Sequence, residues 1–522
     1  MEIQDEKIKE RIKMESWFNT EVRKRLAKKK GKKVVVGPEL AKKTVKKTRP
    51  VHRTRKISTA RHPPSLSSAR GICHNIYNYL QSSGLIITPT KDIKIGKLHS
   101  ININESGSEK LYSGQQNYNS YLLITHVVAL LDRGTVIYFG PPGTGKTTAP
   151  ELVAHYLLGK SIKEIQEATI YGHPELTFNE MLAAEDVGKL IKGKVHIVPR
   201  KFILSKVRII DEVNRIPPSK LSILYQVADR GIANYKGTYI RAPPGPLFAT
   251  ANEADSGNYP IPFPFLDRFD VSVRSQPLNP LYLKFFNKRK VGKLNTSLDN
   301  LLNVHEHLTQ QQLKQIRREI KATQFSPEAL SKLAYFICGI NYCDLGGRDI
   351  ENKSKANCTN KKPGPLCADC SHYGNNKNIC SYTENIVSPR TYRAVYDLSK
   401  AISWWIGERE VTDPKTVMRY TISHKIKPTQ IAFEKDPYYI NDKYALVDDM
   451  WENSCASYEQ DKRKIKSLDE ITEIIARVNI SPKHSGVKRK DIEDILTKEV
   501  TKVDNPIKFA LAVALYDLAE KL

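Results

Sequence analysis

The residues best suited to chemistry form a glycine-rich loop, Gly140–Thr147, with the sequence GPPGTGKT after the apolar stretch Thr135–Phe139. In such a loop the backbone N–H groups converge on phosphates, Lys146 can reach the outer phosphates, and the Thr147 hydroxyl can ligate Mg²⁺. A glycine-rich turn without a ligand has the same composition, so the interpretation depends on the rest of the chain. The pattern predicts a nucleotide site at Gly140, Pro141, Pro142, Gly143, Thr144, Gly145, Lys146, Thr147 and Thr148.

An acidic pair, Asp211 and Glu212, ends the apolar run that begins at Val207. A carboxylate at the end of a buried strand can serve Mg²⁺, and its neighbour can orient and deprotonate the attacking water. We therefore expect Asp211 to serve the metal together with Thr147, and Glu212 to activate water. The alternative is a solvated loop start, because such pairs are common at strand ends.

Three polar residues further along the chain can complete such a site. Asn252 ends the apolar stretch LFATA and can hold the same water from the far side. Arg268 lies in FLDRFD on a turn before the last predicted strand, and Arg390 follows Ser-Pro at a predicted helix start. Either arginine can neutralise the charge of a departing phosphoryl group, or form an ordinary surface ion pair. Asn252 is equally typical of a strand-to-turn boundary.

The elements that must position these residues alternate between strand and helix patterns from 116 to 275. Short apolar runs occupy four stretches: Thr135–Phe139, Val207–Ile210, Pro246–Ala249 and Asp270–Val273. Continuous apolar runs of this length are typical of buried parallel strands. The pattern predicts a three-layer α/β nucleotide domain.

Five motifs in this order and spacing, GPPGTGKT, IIDEVNR, FATAN, FLDRFD and SPR, resemble the AAA+ ATPases of the MoxR family. These are relatives of the magnesium chelatase and minichromosome maintenance ATPases. The resemblance covers roughly 116–425 and implies a five-stranded αβα sandwich with a helical lid, assembled as a homo-hexameric ring with ATP and Mg²⁺ between neighbours. It also implies that Asn252 is the sensor 1 residue, Arg268 an arginine finger acting in trans, and Arg390 the sensor 2 residue.

The same resemblance covers two further stretches. Gly231–Arg241 alternates on both sides of a Lys-Gly pair and is similar to the pre-sensor 1 hairpin of this group. Tyr235 and Lys236 are its candidate substrate contacts, although an ordinary solvated hairpin has the same pattern. The segment His173–Lys206 is long enough to contain the helix 2 insertion that these ATPases carry.

Five cysteines depart from the family pattern, because they fall in a polar stretch of the expected lid. Four thiolates around Zn²⁺ would stabilise an insertion that lacks apolar residues, and C-x2-C spacing suits such a site. The preferred set is Cys358, Cys367, Cys370 and Cys380, with Cys343 or His372 as alternatives for one member. An iron–sulfur cluster is the alternative to zinc, since it also takes four cysteines.

The charge is +27 over 522 residues, and residues 1–60 carry 20 Lys+Arg against 7 Asp+Glu, a net of +13. This composition is typical of a disordered basic arm, and it points to a polyanion such as nucleic acid, a ribosome or an acidic membrane face. Among these, DNA or RNA is the contact that we expect of the arm. The expected organisation is a basic arm at 1–65, a small segment at 66–115, the nucleotide-binding core at 116–275, a helical lid at 276–425 with a Cys-rich insertion at 339–384, and a helical region at 426–522.

Three functions fit these features. The first is an ATP-hydrolysing ring that remodels a protein or protein–nucleic-acid partner, and the second is a nucleic-acid motor of the helicase or translocase type. The third is a nucleic-acid-binding protein that uses nucleotide as a switch, which the presence of Glu212 and Asn252 disfavours. The charged N-terminus does not resemble a signal peptide and no apolar run is long enough to span a membrane, so we expect a cytoplasmic protein with no membrane contact.

Overall fold

The computed structural model describes residues 69–82, 93–95, 116–252, 257–275, 307–343, 379–466, 486–498 and 506–521, with a few isolated positions. The basic arm and most of the Cys-rich stretch lie outside these ranges. The described residues belong to two compact units, one comprising 69–341 and 379–456, the other 342–343 and residues from 457 onward. Within them, no helix combines the length and apolar composition that crossing a membrane requires.

The first unit is built on a parallel sheet of five strands in the order β11-β3-β10-β7-β4. The strands are β3 (Thr135–Phe139), β4 (Thr169–Tyr171), β7 (Arg208–Asp211), β10 (Leu247–Ala251) and β11 (Val271–Arg274). All four strands expected from apolar runs are confirmed, whereas β4 was not expected because three residues give too short a pattern.

Helices cover both faces of this sheet, and the strand residues alternate between two apolar cores. Val136 and Tyr138 of β3 pack into one core, while Ile137 packs into the other. Phe248 of β10 likewise enters the first core, and Ala249 enters the second. A strand buried on both faces needs apolar residues at every position, which explains the continuous runs in the sequence. The expected three-layer α/β fold is confirmed.

The remaining elements before β11 are helices and three small two-stranded sheets, in which β1 pairs with β2, β5 with β6 and β8 with β9, each antiparallel. The helices are α1 (Ala69–Ser82), α2 (Ser120–Leu130), α3 (Thr148–Tyr156), α4 (Ile162–Glu167), α5 (Phe178–Met181), α6 (Val187–Leu190), α7 (Lys201–Leu204), α8 (Pro218–Arg230) and α9 (Phe263–Leu266). The strands are β1 (Ile93–Ile95), β2 (Gln116–Tyr118), β5 (Ala183–Glu185), β6 (Ile197–Pro199), β8 (Ile232–Tyr235) and β9 (Thr238–Arg241).

Mostly helical segments follow the sheet. They are α10 (Gln310–Ala322), β12 (Gln324–Phe325), α11 (Pro327–Asn341), α12 (Pro389–Trp405), β13 (Glu410–Val411), α13 (Lys415–Ile422), α14 (Gln430–Lys435) and α15 (Lys443–Lys466), with α16 (Arg489–Lys498) and α17 (Pro506–Lys521) in the second unit. Helix α12 packs against α2, and α13 packs against the edge strand β11. The helical lid thus contacts the sheet beside β11.

Candidate functional site

The sequence-predicted residues divide between the two ends of the parallel strands. We call these ends the carboxyl edge and the amino edge of the sheet. Gly140 follows β3, Asp211 ends β7 and Asn252 follows β10, so all three lie at the carboxyl ends of neighbouring strands. Arg268 precedes β11, and β11 runs parallel to β3 with Val271 opposite Val136. Arg268 therefore lies at the amino ends of the same strands.

The glycine-rich loop Gly140–Thr147, which we call the P-loop, has the backbone conformation that phosphate binding needs. Gly143 and Gly145 have φ of 76° and 80°, and an added Cβ at either position would meet nothing within 4 Å. Glycine is needed there for its conformation, and the space beside the loop is open. The buried Lys146 donates hydrogen bonds from Nζ to the carbonyl oxygens of Gly140 (2.8 Å) and Pro141 (2.6 Å). Its ammonium thus lies over the loop, and the cradle fits a polyphosphate.

The residues around this loop hold its shape. The Tyr121 hydroxyl donates to the carbonyl oxygens of Gly145 (2.9 Å) and Lys146 (2.7 Å). Thr144 donates to the Pro141 carbonyl (2.9 Å) and contacts the Ser275 hydroxyl (2.7 Å) at the end of β11. Pro141 and Pro142 are exposed on the outside of the loop, and Thr148 begins α3. The loop is therefore fixed from two sides before any ligand binds.

Two of the expected metal-binding groups are in direct contact. The Thr147 hydroxyl donates to Asp211 Oδ1 at 2.7 Å, and the buried Thr250 hydroxyl donates to the same oxygen at 2.5 Å. Hydroxyl and carboxylate oxygens are the ligands that Mg²⁺ prefers in proteins, so this pair fits the ion. Burial, with the nearby charge of Asp211, raises the pKa of Glu151 in the first turn of α3 to about 7.

Glu212 is fixed by three neighbours. Its Oε1 accepts a hydrogen bond from Asn252 Nδ2 at 2.7 Å, and Oε2 lies 3.2 Å from Nε of Arg215. Its backbone N–H donates to Thr250 Oγ1 at 2.9 Å. Glu212 also has a φ of 53°, in the left-handed region that a side-chain-bearing residue rarely adopts. The strand thus turns sharply after Asp211, and the two carboxylates have different partners.

Both arginines lie at the amino edge, away from the P-loop. The Arg268 guanidinium stacks over the Tyr225 ring, 4.7 Å from its centroid, and donates to the Pro264 carbonyl. The Arg390 guanidinium forms a two-pronged ion pair with Asp229 (2.9 and 3.1 Å) and a further bond to Asp267 (3.2 Å). These bonds lower the pKa of Asp229.

The hairpin expected at 231–241 is confirmed as β8 and β9, and the side chains alternate across it. Tyr235 packs into a core and its hydroxyl donates to Asn179, so it is a structural residue rather than an exposed substrate contact. Lys236 is exposed and lies 2.9 Å from Glu185 of β5. Tyr239, on the opposite face from the buried Ile240, is the exposed aromatic residue of this hairpin.

The cysteine site remains a prediction. Cys358, Cys367, Cys370 and the alternative His372 lie outside the described residues, while Cys343 and Cys380 belong to different compact units. Among the residues that the structure does describe, no group of three or more His, Cys, Asp or Glu side chains is arranged to hold a metal ion.

Sequence reasoning missed several residues that hold the site together. Thr250 bridges Asp211 and Glu212, and a hydroxyl within an otherwise apolar strand was a signal that could have found it. Arg215 closes the IIDEVNR motif, but no role was predicted for it, because the motif alone does not show that its guanidinium lies beside the Glu212 carboxylate. Nothing in the sequence connects Asp229 with Arg390, since 161 residues separate them.

A known family model matches the part of the chain that carries this site. Residues 135–269 match the family model of the AAA domain, dynein-related subfamily. Solved structures with a similar course include that of a candidate ATPase from Cytophaga hutchinsonii, with a TM-score of 0.47 and 17% identity, covering 73% of this chain and 94% of that chain. A search of curated proteins gives no significant match. Residues 135–269, which carry the P-loop, Asp211 and Glu212, form an AAA domain, and the protein is an ATPase.

Proposed function

We propose that this chain works as a ring-forming ATPase of the MoxR type whose catalytic sites are shared between neighbouring subunits. The observation that carries the proposal is the division of the site between two edges of one sheet. Lys146, Asp211 and Glu212 lie at the carboxyl edge, and Arg268 and Arg390 lie at the amino edge. A five-residue strand is about 17 Å long, which separates these arginines from the P-loop of their own chain.

The carboxyl edge supplies the groups for binding and water activation. Lys146 and the P-loop N–H groups would bind the phosphates, and Thr147 and Asp211 would hold the metal. Bound Mg²⁺ would neutralise charge that builds up on the phosphoryl oxygens. Glu212 accepts the proton of the attacking water, and Asn252 orients both the carboxylate and that water.

The amino edge supplies charge to the neighbouring subunit's nucleotide. Arg268 acts as the arginine finger and Arg390 as the second cation. Each carries a positive guanidinium group that can stabilise the negative charge of the transition state. Asp229 and Asp267 fix the Arg390 guanidinium in one orientation, so it is preorganised before the subunits meet. A single subunit lacks these cations at its own P-loop, which couples turnover to ring assembly.

The ring is a homo-hexamer that couples ATP turnover to remodelling of a protein or protein–nucleic-acid client, with the basic arm at 1–65 contacting DNA or RNA. Cys358, Cys367, Cys370 and Cys380 bind Zn²⁺ or an iron–sulfur cluster that stabilises the insertion. Metal analysis of the purified chain, with a four-cysteine-to-serine variant as control, tests this part; a metal-free folded protein would contradict it.

The shared site is tested by mixing subunits. Arg268→Ala and Glu212→Gln should each be inactive alone, because every interface in such a ring lacks one group. A mixture should regain activity at interfaces that pair an intact Glu212 with an intact Arg268. The control mixes Arg268→Ala with the double variant Arg268→Ala/Glu212→Gln, which offers no complete interface. An inactive first mixture that has been shown to co-assemble would overturn the proposal.

A further inference from the structure

Exposed apolar side chains are concentrated in one part of the chain. Of the fourteen large hydrophobic residues that are exposed among those described, eight lie between 171 and 204. Four of the eight lie on one turn between β5 and β6: Val187 (66% exposed), Leu190 (44%), Ile191 (82%) and Val195 (70%). We name residues 186–196 the insertion tip. Scattered exposed aliphatic residues need no explanation, but a cluster on one turn is typical of an interaction site.

The insertion tip is an ordered turn that holds these side chains outward. The Asp186 side chain accepts a hydrogen bond from the Lys189 N–H at 3.2 Å, and its backbone N–H donates to the His196 carbonyl at 2.9 Å. Gly193, with a φ of 71°, ends the helical turn, and the Lys194 N–H donates to the Lys189 carbonyl at 2.9 Å. The apolar residues are therefore presented on a preorganised surface, which lowers the entropy lost on binding.

A second hairpin supports this turn at its base. Lys236, at the turn between β8 and β9, forms a 2.9 Å ion pair with Glu185, the last residue of β5. The Tyr235 hydroxyl donates to Asn179 in α5. The turn of the β8–β9 hairpin thus contacts the end of β5 from which the insertion tip begins, and it places a further lysine there.

The charge of the insertion tip indicates what it binds. Its one carboxylate, Asp186, is engaged by Lys189 at 3.8 Å and by His196 at 3.7 Å. Lys192 and Lys194 are exposed and have no carboxylate partner in the described part of the chain. Two ammonium groups therefore alternate with aliphatic side chains, and the complementary ligand carries carboxylates between aliphatic residues.

Two other classes of partner fit less well. Residues 186–196 contain no Trp, Tyr or Phe, whereas surfaces that bind the membrane interface usually carry aromatic residues. They also contain no arginine, and without an aromatic residue they offer no stacking platform for bases. A polypeptide remains the partner that the residue types favour.

We propose that the insertion tip docks an acidic, aliphatic-rich extended segment of a client protein. The inference rests on the proposed function, because it names the substrate class of the remodelling ring. The aliphatic side chains of the segment pack on Ile191 and Val195, and its carboxylates pair with Lys192 and Lys194.

The test measures fluorescence anisotropy of labelled synthetic peptides with the full chain. One peptide alternates Glu with Leu, a second alternates Lys with Leu, and a third alternates Glu with Ser. Vesicles of phosphatidylserine and phosphatidylcholine and a single-stranded oligothymidylate are further probes. The variants are Ile191→Ser/Val195→Ser and Lys192→Glu/Lys194→Glu. The matched control is Tyr438→Ser/Ile440→Ser, an exposed apolar pair elsewhere in the same unit (78% and 58%).

The Glu–Leu peptide should bind, and the Ile191→Ser/Val195→Ser variant should weaken its binding by about tenfold or more through lost apolar contact. The Lys192→Glu/Lys194→Glu variant should lose this peptide and gain the Lys–Leu peptide, while the control binds as the parent does. The proposal would be overturned if the Glu–Leu peptide did not bind, or if the tip variants bound it as tightly as the parent does. Binding of vesicles or oligonucleotide, in place of the peptide and dependent on the tip, would also overturn it.

Basal ATP hydrolysis without peptide separates this inference from the proposed function. The tip variants should hydrolyse ATP at the parental rate, because the tip lies outside the catalytic groups. A parent chain that does not hydrolyse ATP would contradict the proposed function. A parent that hydrolyses ATP but binds peptides independently of the tip would overturn the docking site alone.

Discussion

The carboxyl edge and the amino edge of the central sheet carry different types of side chain. At the carboxyl edge, hydroxyl, amide and carboxylate groups form short hydrogen bonds, as between Thr250 and Asp211 and between Asn252 and Glu212. At the amino edge, charged groups dominate, with Arg390 paired to Asp229 and Asp267. The first arrangement suits a metal and a water molecule, whereas the second suits the fixing of cations.

The amino edge is also where the lid is attached to the sheet. His424 donates from Nε2 to the Phe269 carbonyl at 2.9 Å, and its Nδ1 has no hydrogen-bond partner within the described residues. The adjacent Lys425 is fully buried, and burial lowers the pKa of its ammonium to about 8. The carboxyl edge therefore groups the candidate water-activating and metal-binding residues, whereas the amino edge contacts the helical segments after β11 and holds both arginines.

The strongest test of the carboxyl edge is Glu212→Gln. We expect kcat for ATP hydrolysis to fall by about 10²- to 10⁴-fold, because an amide cannot accept the proton of the water. ATP should stay bound, since no phosphate-binding group changes. Steady-state hydrolysis and binding of a fluorescent ATP analogue measure the two quantities. A parental rate would show that another group activates water.

Lys146→Ala should have the next largest effect. It removes the ammonium held over the P-loop, which is expected to weaken ATP binding by about a hundredfold through loss of charged hydrogen bonds. Equilibrium binding of the same analogue checks this. Lys160→Ala is the control, because Lys160 pairs with Glu164 outside the site. An unchanged affinity in a folded Lys146→Ala protein would contradict the assignment.

Two matched threonine substitutions compare the edges directly. Thr250→Val removes the hydroxyl that bridges Asp211 and Glu212, and we expect about a tenfold loss in Mg²⁺-dependent kcat. Thr135→Val removes the hydroxyl that bonds Asp270 (3.0 Å) at the amino edge. It should lower the melting temperature and leave the Mg²⁺ dependence unchanged. A shift in Mg²⁺ dependence with Thr135→Val would remove the distinction between the edges.

The smallest expected effect is a pH dependence at the amino edge. Burial, with the nearby charge of Lys425, lowers the pKa of His424 from 6.5 to about 3. Below pH 6.5 the unfolded chain therefore binds a proton that the folded chain does not. Stability should fall as the pH drops from 7 through 6.5, by about 0.7 kcal/mol at pH 6 from this group.

His424→Gln tests this pH dependence, since glutamine can keep the bond to the Phe269 carbonyl but does not titrate. Denaturant melts of parent and variant at pH 7.5 and pH 6 give the difference in the free energy of unfolding. The variant should lose less stability than the parent on acidification. Equal losses in the two proteins would show that His424 does not contribute to the acid sensitivity.

Much of the fold was predictable because the strands are buried on both faces. The apolar runs predicted four strands of the sheet to within one or two residues. The missing strand, β4, has only three residues, and Tyr171 within it is exposed. Length and burial together make an apolar run recognisable, and β4 is short with only Ile170 buried.

The sequence by itself determined the local chemistry of this protein. Loop glycines, Lys146, Asp211 and Glu212 are recognisable because their roles depend on residue type and on a preceding strand. The carboxyl ends of parallel strands meet at one edge, so Asn252 could be assigned to the same site. The AAA family model matches residues 135–269, which include all of these positions.

Only the tertiary structure decided where the arginines and the apolar surface lie. The pairing of Arg390 with Asp229 and Asp267 depends on how the lid packs against β11 and α2, which involves residues more than a hundred positions apart. The exposure of Ile191 and the burial of Tyr235 depend on which faces neighbouring elements cover. Local sequence fixes which chemical groups are present, whereas long-range packing fixes which of them meet and which face solvent.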